Sequence, residues 1–377
     1  MRGRSVFLVL SIVVALVLVA FATGAAEVAS KGLVRLAALF GQSLSLIRSN
    51  YVEEVPVETL ELGAMTGLVE GADPGGSWVP NGSERAFAAL GVRQVPAYGL
   101  VLGKRASYPV ALQVLPGSPA ERAGIVPGEM FERLGGEPVR ARPLWRARVL
   151  LDEAEQRGAD VPADVIDRGF EGKRRVTLHA APATVPAASV TDREGVPVVR
   201  VARLDEAAAR QIEEAFAAHA DAASIVVEAR GTALGDVAGA ARVAAVLAGG
   251  EVSVSLARKE GKGEVVTAKA PERRWRVIVC VDATTAGPAE ALVVALKSKG
   301  ATLVGLESYG DTGLRKPVKA GGGQLWLAES WCAGPDGKPV LGDGVKPDEV
   351  VRPRREGDAI LDRAVELARG DVKDKAA

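Results

Sequence analysis

The sequence predicts an α/β protein: a C-terminal α/β layer preceded by a smaller β-rich, α+β unit and a short N-terminal helical segment. Three observations predict it. Between residues 195 and 350, apolar β-rich runs alternate with helical runs, as in a layer built on a partly parallel sheet. Within that region Val277–Gly305 reads as strand, polar turn, helix, Gly300 and strand in about thirty residues. Residues 98–181 carry instead short apolar runs separated by Pro-Gly turns.

Size and charge bound the possibilities. The chain has 377 residues, room for two or three domains at about 150 residues each. Of its residues 48% are apolar, enough for a sizeable core, and 47 basic residues balance 47 acidic ones. That balance argues against a nucleic-acid binder. Cys280 and Cys332 are far apart, no CxxC spacing occurs, and His179 and His219 are isolated, so neither a metal site nor a cofactor is expected. The two cysteines read as buried free thiols, with a disulfide as the alternative that export would permit.

The N-terminus carries an address. Arg2 and Arg4 precede an apolar run from Val6 to Ala22, and small residues follow to Ala26. This is the pattern of a secretory leader. Its roughly 17 helical residues would span about 25 Å, slightly short of a bilayer core. A cleaved signal peptide and a retained anchor both remain open for residues 1–26. Either way the body is expected outside the cytoplasm, in the periplasm or held at the inner membrane.

Elements follow in order. Leu33, Leu36, Phe40, Leu44 and Ile47 recur at helical steps, Tyr51–Pro56 breaks the pattern, and Val57–Val69 resumes it. Asp73–Trp78 is a turn cluster, which closes a helical segment over 27–96. Tyr98–Leu102 and Val110–Val114 read as strands. Pro119–Ala123 makes one helical turn, Pro143–Gln156 an amphipathic helix, and Val161–Arg168 with Arg174–His179 a strand pair. The Ala/Pro-rich stretch 180–188 is a linker. In the core, strands are expected at Val196–Val201, Ser224–Glu228, Val252–Leu256, Val277–Val281 and Thr302–Val304. Helices are expected at Asp205–His219, Val237–Leu247, Pro288–Lys299 and Asp358–Ala368. Hairpin turns are expected at Gly334–Gly337 and Gly342–Gly344, and a frayed tail at 371–377.

The turn after Val281 matters most. In a serine hydrolase a serine belongs where such a strand turns into a helix, because helix-end N–H groups can hold an oxyanion there. Here the turn offers Thr284, Thr285 and Gly287, and no serine lies between Asp282 and Lys297. The stretch reads as a good helix start, with Gly287 as N-cap, Pro288 at the first helical position and Glu290 at the third.

Four motifs carry a family resemblance. These are YVEEVPVETLELGAMTGLVEGADPGGSWV (51–79), VLPGSPAERAGIVPGE (114–129), VVEARGTALGD (226–236) and VLGDGVKPDEVV (340–351). Over roughly residues 40–370 the chain resembles the carboxyl-terminal processing peptidases, or tail-specific proteases. The resemblance implies a PDZ domain over 97–182 and a ClpP/crotonase-like α/β protease core over 190–370. It implies a serine-type peptidase fold whose catalytic positions are degenerate here. The family's nucleophile, the middle serine of SASASE, falls on Gly287 when its glutamate is aligned with Glu290. The general-base lysine falls on Asp311, at a spacing one residue shorter, and the glutamine that orients it on Arg315 or a neighbour. Arg230-Gly231 lies where an active relative supplies oxyanion N–H groups, although Leu234 replaces the first glycine of the family's Gly-Gly pair.

A serine–lysine dyad needs a hydroxyl and a deprotonatable amine within hydrogen-bond reach. Glycine and aspartate supply neither. Thr285 is the alternative nucleophile, with Lys316 or Lys319 folding back to it. The PDZ resemblance implies a peptide site: the carboxylate loop Tyr98, Gly99, Leu100 and Val101, positive charge from Lys104 and Arg105, and Leu144, Ala147 and Leu151 as pocket residues. The expected function is an exported, non-cleaving homologue that binds peptide or protein C-termini or a partner protease. The alternatives are an active endopeptidase of C-terminal tails and a structural envelope protein.

Overall fold

The computed structural model describes residues 27–91, 95–181, 185–219, 221–334, 337–354 and 356–370. The leader expected at 1–26, the tail at 371–377 and the middle of the 334–337 turn lie outside these residues. Among the described residues no helix is long and apolar enough to cross a membrane. The chain divides into two compact units, Met1–Ala64 and Met65–Ala377. The first holds α1 (Glu27–Asn50), whose Leu36, Phe40, Leu44 and Ile47 are all exposed; α2 (Val57–Ala72) begins in it.

The second unit opens with a difference from expectation. Ser77 and Trp78, read as part of a turn, belong to β1 (Ser77–Pro80), and α3 (Glu84–Leu90) follows. Trp78 is buried, and burying an indole rewards pairing the short segment with a sheet. So part of the supposed helical segment 27–96 is built into the larger unit.

A β-rich body comes next: β2 (Leu100–Arg105), β3 (Tyr108–Val114), α4 (Pro119–Arg122), β4 (Met130–Leu134), β5 (Glu137–Pro138), α5 (Leu144–Gln156), β6 (Val161–Ile166) and β7 (Lys173–Leu178). Its strands pair antiparallel in the order β2-β3-β4-β6-β7, with β5 on β4. Ser118 caps α4, its hydroxyl accepting from the Glu121 amide, and Pro119 occupies the first turn. On α5, Ala147, Leu151 and Ala154 recur at helical spacing and bury one face among Tyr98, Leu100, Phe131 and Val165. The strand expected at Tyr98–Leu102 starts later. Ala97–Gly99 is a 3-10 turn because the Tyr98 amide donates to Glu155 Oε1 at 2.6 Å and its hydroxyl to the Ala159 carbonyl at 2.5 Å.

The α/β layer runs β8 (Ala188–Arg193), β9 (Val196–Val201), α6 (Glu206–Phe216), β10 (Ser224–Glu228), α7 (Val237–Ala248), β11 (Gly250–Arg258), β12 (Glu264–Ala270), β13 (Arg276–Val281), α8 (Pro288–Ser298), β14 (Thr302–Gly305), β15 (Leu314–Ala320), β16 (Gly323–Cys332), β17 (Glu349–Val350) and α9 (Ala359–Arg369). One sheet has the order β17-β14-β13-β10-β9-β8, parallel except for β8. Parallel strands covered on both faces read as near-continuous apolar runs, which is why these strands were legible. Their alternate residues divide between two cores. Val199, Ile225, Val227, Val277 and Val279 pack toward α6, α7 and α8. Val198, Val226, Ile278 and Cys280 pack toward Ile360, Ala364 and Val365 of α9. Each fully buried valine or isoleucine contributes about 1.5–3 kcal/mol.

A second sheet, β1-β16-β11-β12 with β15 on β16, was only partly foreseen. β12 and β15 escaped because little of either is covered: exposed and half-buried residues mix along β12, and only Arg315 and Ala320 of β15 are not exposed, while β16 is mostly half-buried. Lys316 and Lys319 stand exposed on opposite faces of β15, and three successive glycines (321–323) sit at its turn into β16, so the pair reads as polar loop.

Candidate functional site

The helix start after β13 forms as its residues dictate. Asp282 Oδ1 accepts from the Thr284 amide at 2.7 Å and the Thr284 hydroxyl at 2.5 Å, closing a side-chain turn. Thr285 is fully buried, and its hydroxyl oxygen accepts from the Asp282 amide at 3.2 Å. Gly287 stands at the N-cap with φ 56° and ψ −116°, a conformation that side chains rarely adopt. A Cβ there would meet nothing closer than the Asp311 carbonyl at 3.6 Å, so the obstacle to a larger residue is backbone strain and not space. Pro288 begins the helix and Glu290 reaches back to the Gly287 amide at 3.1 Å.

Glu290 is the hub of this end. It is fully buried, and its carboxylate accepts from the Ser308 hydroxyl (2.5 Å), the Gly310 amide (2.6 Å), the Asp311 amide (2.8 Å) and the Gly287 amide. Burial pushes its pKa up to about 7, against the pull of those four donors. Ser308 was not singled out in the sequence. It is buried, and its oxygen also accepts from the Val345 amide at 2.7 Å.

At the place of the expected general base lies an ion cluster. Arg315 is held between Asp73 (Nε–Oδ2 2.9 Å, Nη2–Oδ1 2.6 Å) and Asp311 (Nη2–Oδ1 2.6 Å, Nη1–Oδ2 3.2 Å). Burial opposes its charge, but the two carboxylates outweigh that and raise its pKa. Asp73 is itself buried and accepts from the Ala328 amide at 2.9 Å. The structure thus joins three positions that the resemblance had left apart: the early turn, the lysine position and the glutamine position. Lys316, offered as a base for Thr285, pairs with Glu329 at 2.5 Å, and Lys319 is exposed on β15. Both lysines are exposed to solvent, on opposite faces of β15, and nothing brings either to Thr285.

The turn after β10 is equally saturated. The Gly231 amide donates to Thr284 Oγ1 at 2.8 Å. The Ala233 and Leu234 amides both donate to Gln113 Oε1 at 3.0 Å, while Gln113 Nε2 donates to the Ala202 carbonyl at 2.6 Å. Arg230 is locked by Glu228 (Nε–Oε1 2.8 Å) and Asp358 (Nη2–Oδ2 2.7 Å), and these carboxylates raise its pKa despite its burial. The oxyanion role expected of Arg230-Gly231 therefore meets amides already engaged. Ala286, one residue before the N-cap, packs against Val110, Leu112, Met130 and Ile166 of the β-rich body. Tyr309 adds a two-way bond to Lys104, accepting from its amide at 2.8 Å and donating to its carbonyl at 2.7 Å.

Three cavities lie nearby. One of about 270 Å³ sits at the carboxyl ends of β9, β10 and β13, lined by Arg200, Arg230, Gly231, Asp282 and Thr284. Another, of about 470 Å³, is lined by Lys104, Ser308, Asp311 and Asp343. A third, of about 260 Å³, lies between β2 and α5, lined by Leu100, Val101, Leu102, Arg148, Leu151 and Asp152.

The third cavity corrects several expectations for the peptide loop. The Gly99 amide donates to the Pro96 carbonyl at 2.9 Å and the Leu100 amide to Ala97, so with Tyr98 three of the four loop amides are engaged. Gly99 (φ 72°) is required by packing, since a Cβ would lie 2.2 Å from Ser118 Cβ. Lys104 pairs with Glu70 at 2.5 Å, and Arg105 borders the 470 Å³ cavity instead. Of the pocket candidates, Leu151 and Val101 line the groove, Ala147 is buried in the core of the body, and Leu144 packs against that core. Cys280 and Cys332 are both free and buried, and His179 pairs with Asp160 at 2.8 Å on the surface.

Comparison with known proteins gives this geometry a context. Residues 195–351 match the model of peptidase family S41, a span that includes Gly231, Gly287, Glu290, Asp311 and Arg315. A "Probable CtpA-like serine protease" of Staphylococcus aureus (strain COL) is 22% identical over 320 residues, covering 81% of this chain. The chain spans 63% of the length of that curated relative. Among solved structures, a photosystem II D1 C-terminal processing protease superposes with a TM-score of 0.65 at 20% identity, over 87% of this chain and 92% of its own. The shared architecture is that of the C-terminal processing proteases.

Proposed function

We propose, from the premise that residues 195–351 belong to peptidase family S41, that this chain is a CtpA-like member that binds peptides and does not cleave them. Its residues 97–182 act as a PDZ domain for peptide or protein C-termini, or for the tail of a partner protease. It works outside the cytoplasm, delivered by the leader pattern of residues 1–26. One observation carries the reading: the nucleophile position is Gly287, and the position of its base is occupied by the carboxylate of Asp311 bound to Arg315. Peptide hydrolysis by this fold needs an attacking oxygen and a base. Here the Arg230 and Gly231 amides, which would stabilise an oxyanion, donate to Glu228 and Thr284 instead.

An active endopeptidase is the second reading, and Ser308 is what favours it. Its hydroxyl donates to a carboxylate whose pKa lies near neutrality, beside a cavity. Against it, the hydroxyl is buried and already accepts from Val345.

The test is incubation of the full chain with casein and with fluorogenic peptides, beside a Ser308→Ala variant and a Gly287→Ser/Asp311→Lys variant. No turnover by the native chain is expected. Turnover that disappears in Ser308→Ala would establish the second reading, and turnover unaffected by that change would place an unidentified nucleophile elsewhere and end the non-cleaving reading.

A further inference from the structure

The groove between β2 and α5 has an unusual distribution of polar groups. β2 is an edge strand that pairs with β3 alone, so it offers a backbone edge to an extended peptide. The groove beside it is lined by Ala97, Leu100, Leu102 and Leu151, which suits apolar side chains. A peptide's terminal carboxylate needs donors as well. The amides of Tyr98, Gly99 and Leu100 all donate inside the protein. Lys104 is engaged by Glu70.

Among the described residues one cation lines the groove. Arg148 lies on α5 three residues before Leu151, hence on the same side of the helix. It has no hydrogen-bond or ion partner among the described residues, whereas Arg174, Arg175, Arg230 and Arg315 all have one. The protein around it lowers its pKa by desolvation, with no carboxylate to counter that. Asp152, the acidic residue in the same lining, is engaged by Gln156 Nε2 at 2.7 Å. A guanidinium takes a carboxylate in two parallel bonds, so an unpaired arginine beside an apolar groove complements an apolar peptide that ends in a free carboxylate.

We propose that Arg148 receives the terminal carboxylate of a peptide lying along β2, replacing the closed loop amides as the anion receptor. This rests on the reading of residues 97–182 as a peptide-binding PDZ domain. The occupant is an extended C-terminus with apolar last residues.

The experiment uses fluorescein-labelled decapeptide pools with randomised apolar last four positions, as free acids and as C-terminal amides. They are titrated by anisotropy against the full chain and against Arg148→Gln and Arg148→Lys variants. Free-acid peptides are expected to bind the native chain. Amidation and Arg148→Gln should each weaken binding by about tenfold or more. Amidation should cost nothing further in Arg148→Gln, because both changes remove the same contact. Arg148→Lys should fall between, keeping charge without the fork. An amidation effect that persists undiminished in Arg148→Gln would overturn the role of Arg148 and leave the peptide reading standing. Absence of saturable binding by either pool would overturn the peptide reading itself.

Discussion

Two regions of the larger unit, the start of α8 and the groove between β2 and α5, treat their polar groups in opposite ways. At the start of α8 every candidate group is engaged: Gly287 with Glu290, Glu290 with Ser308, Asp311 with Arg315, and Gly231 with Thr284. At the groove between β2 and α5 an arginine lines the cavity with no partner among the described residues. A catalytic centre holds donors and acceptors in readiness for a substrate. A site whose groups all bond to one another is a structural joint. On the function proposed above, the contrast puts the working surface at the groove and not at the helix start.

The sharpest way to break that contrast is to remove the arginine of the ion cluster. Arg315→Ala leaves Asp73 and Asp311 facing each other in a largely buried space. Unfolding by urea should show a loss of about 3–5 kcal/mol. A loss below about 1 kcal/mol would mean that the cluster is not a joint.

Next in size is the ionisation of Glu290. Its pKa is about 7 in the folded chain and near the ordinary 4.5 when unfolded. Between these values the folded state holds a proton that the unfolded state has released. The stability this confers is present in full below about pH 4.5, falls as pH rises, and is lost above about 7. Relative to Glu290→Gln, the native chain should lose about 3 kcal/mol across that window. Denaturation midpoints measured for both proteins from pH 5 to 8 test it, and parallel profiles would refute it.

Gln113 sharpens the contrast differently, because it closes the turn after β10 from the β-rich body. Gln113→Ala removes the acceptor for two amides and the donor to Ala202. A loss of about 2 kcal/mol is expected, with faster hydrogen exchange at Ala233 and Leu234. Smallest of all, Arg148→Gln should leave stability within about 0.5 kcal/mol, as befits a side chain without an intramolecular partner. A larger loss would mean that the groove too is a joint.

The α/β layer was legible because its parallel strands are buried on both faces, so Ile225–Val227 and Val277–Val281 stand out as unbroken apolar runs. The helix start at Gly287-Pro288 was legible from cap chemistry alone. β12, β15 and β16 were not, since strands so exposed or only half-buried look like loops until their partners are known. The site divided along the same line. That Gly287 carries no hydroxyl and that position 311 is an aspartate are written in the chain. What engages Asp311, Gly231 and the Tyr98–Leu100 amides was not.

Residue identity by itself determined which chemical groups this protein owns, a glycine at 287 and an aspartate at 311 among them. Only the tertiary structure decided which groups are engaged. The partners of Arg315 lie 242 and 4 residues away, those of Gln113 lie 89 to 121 residues away, and Arg148 has none among the described residues. Hydrogen bonds and ion pairs act over a few ångströms of space, and folding, not sequence order, sets which groups come that close.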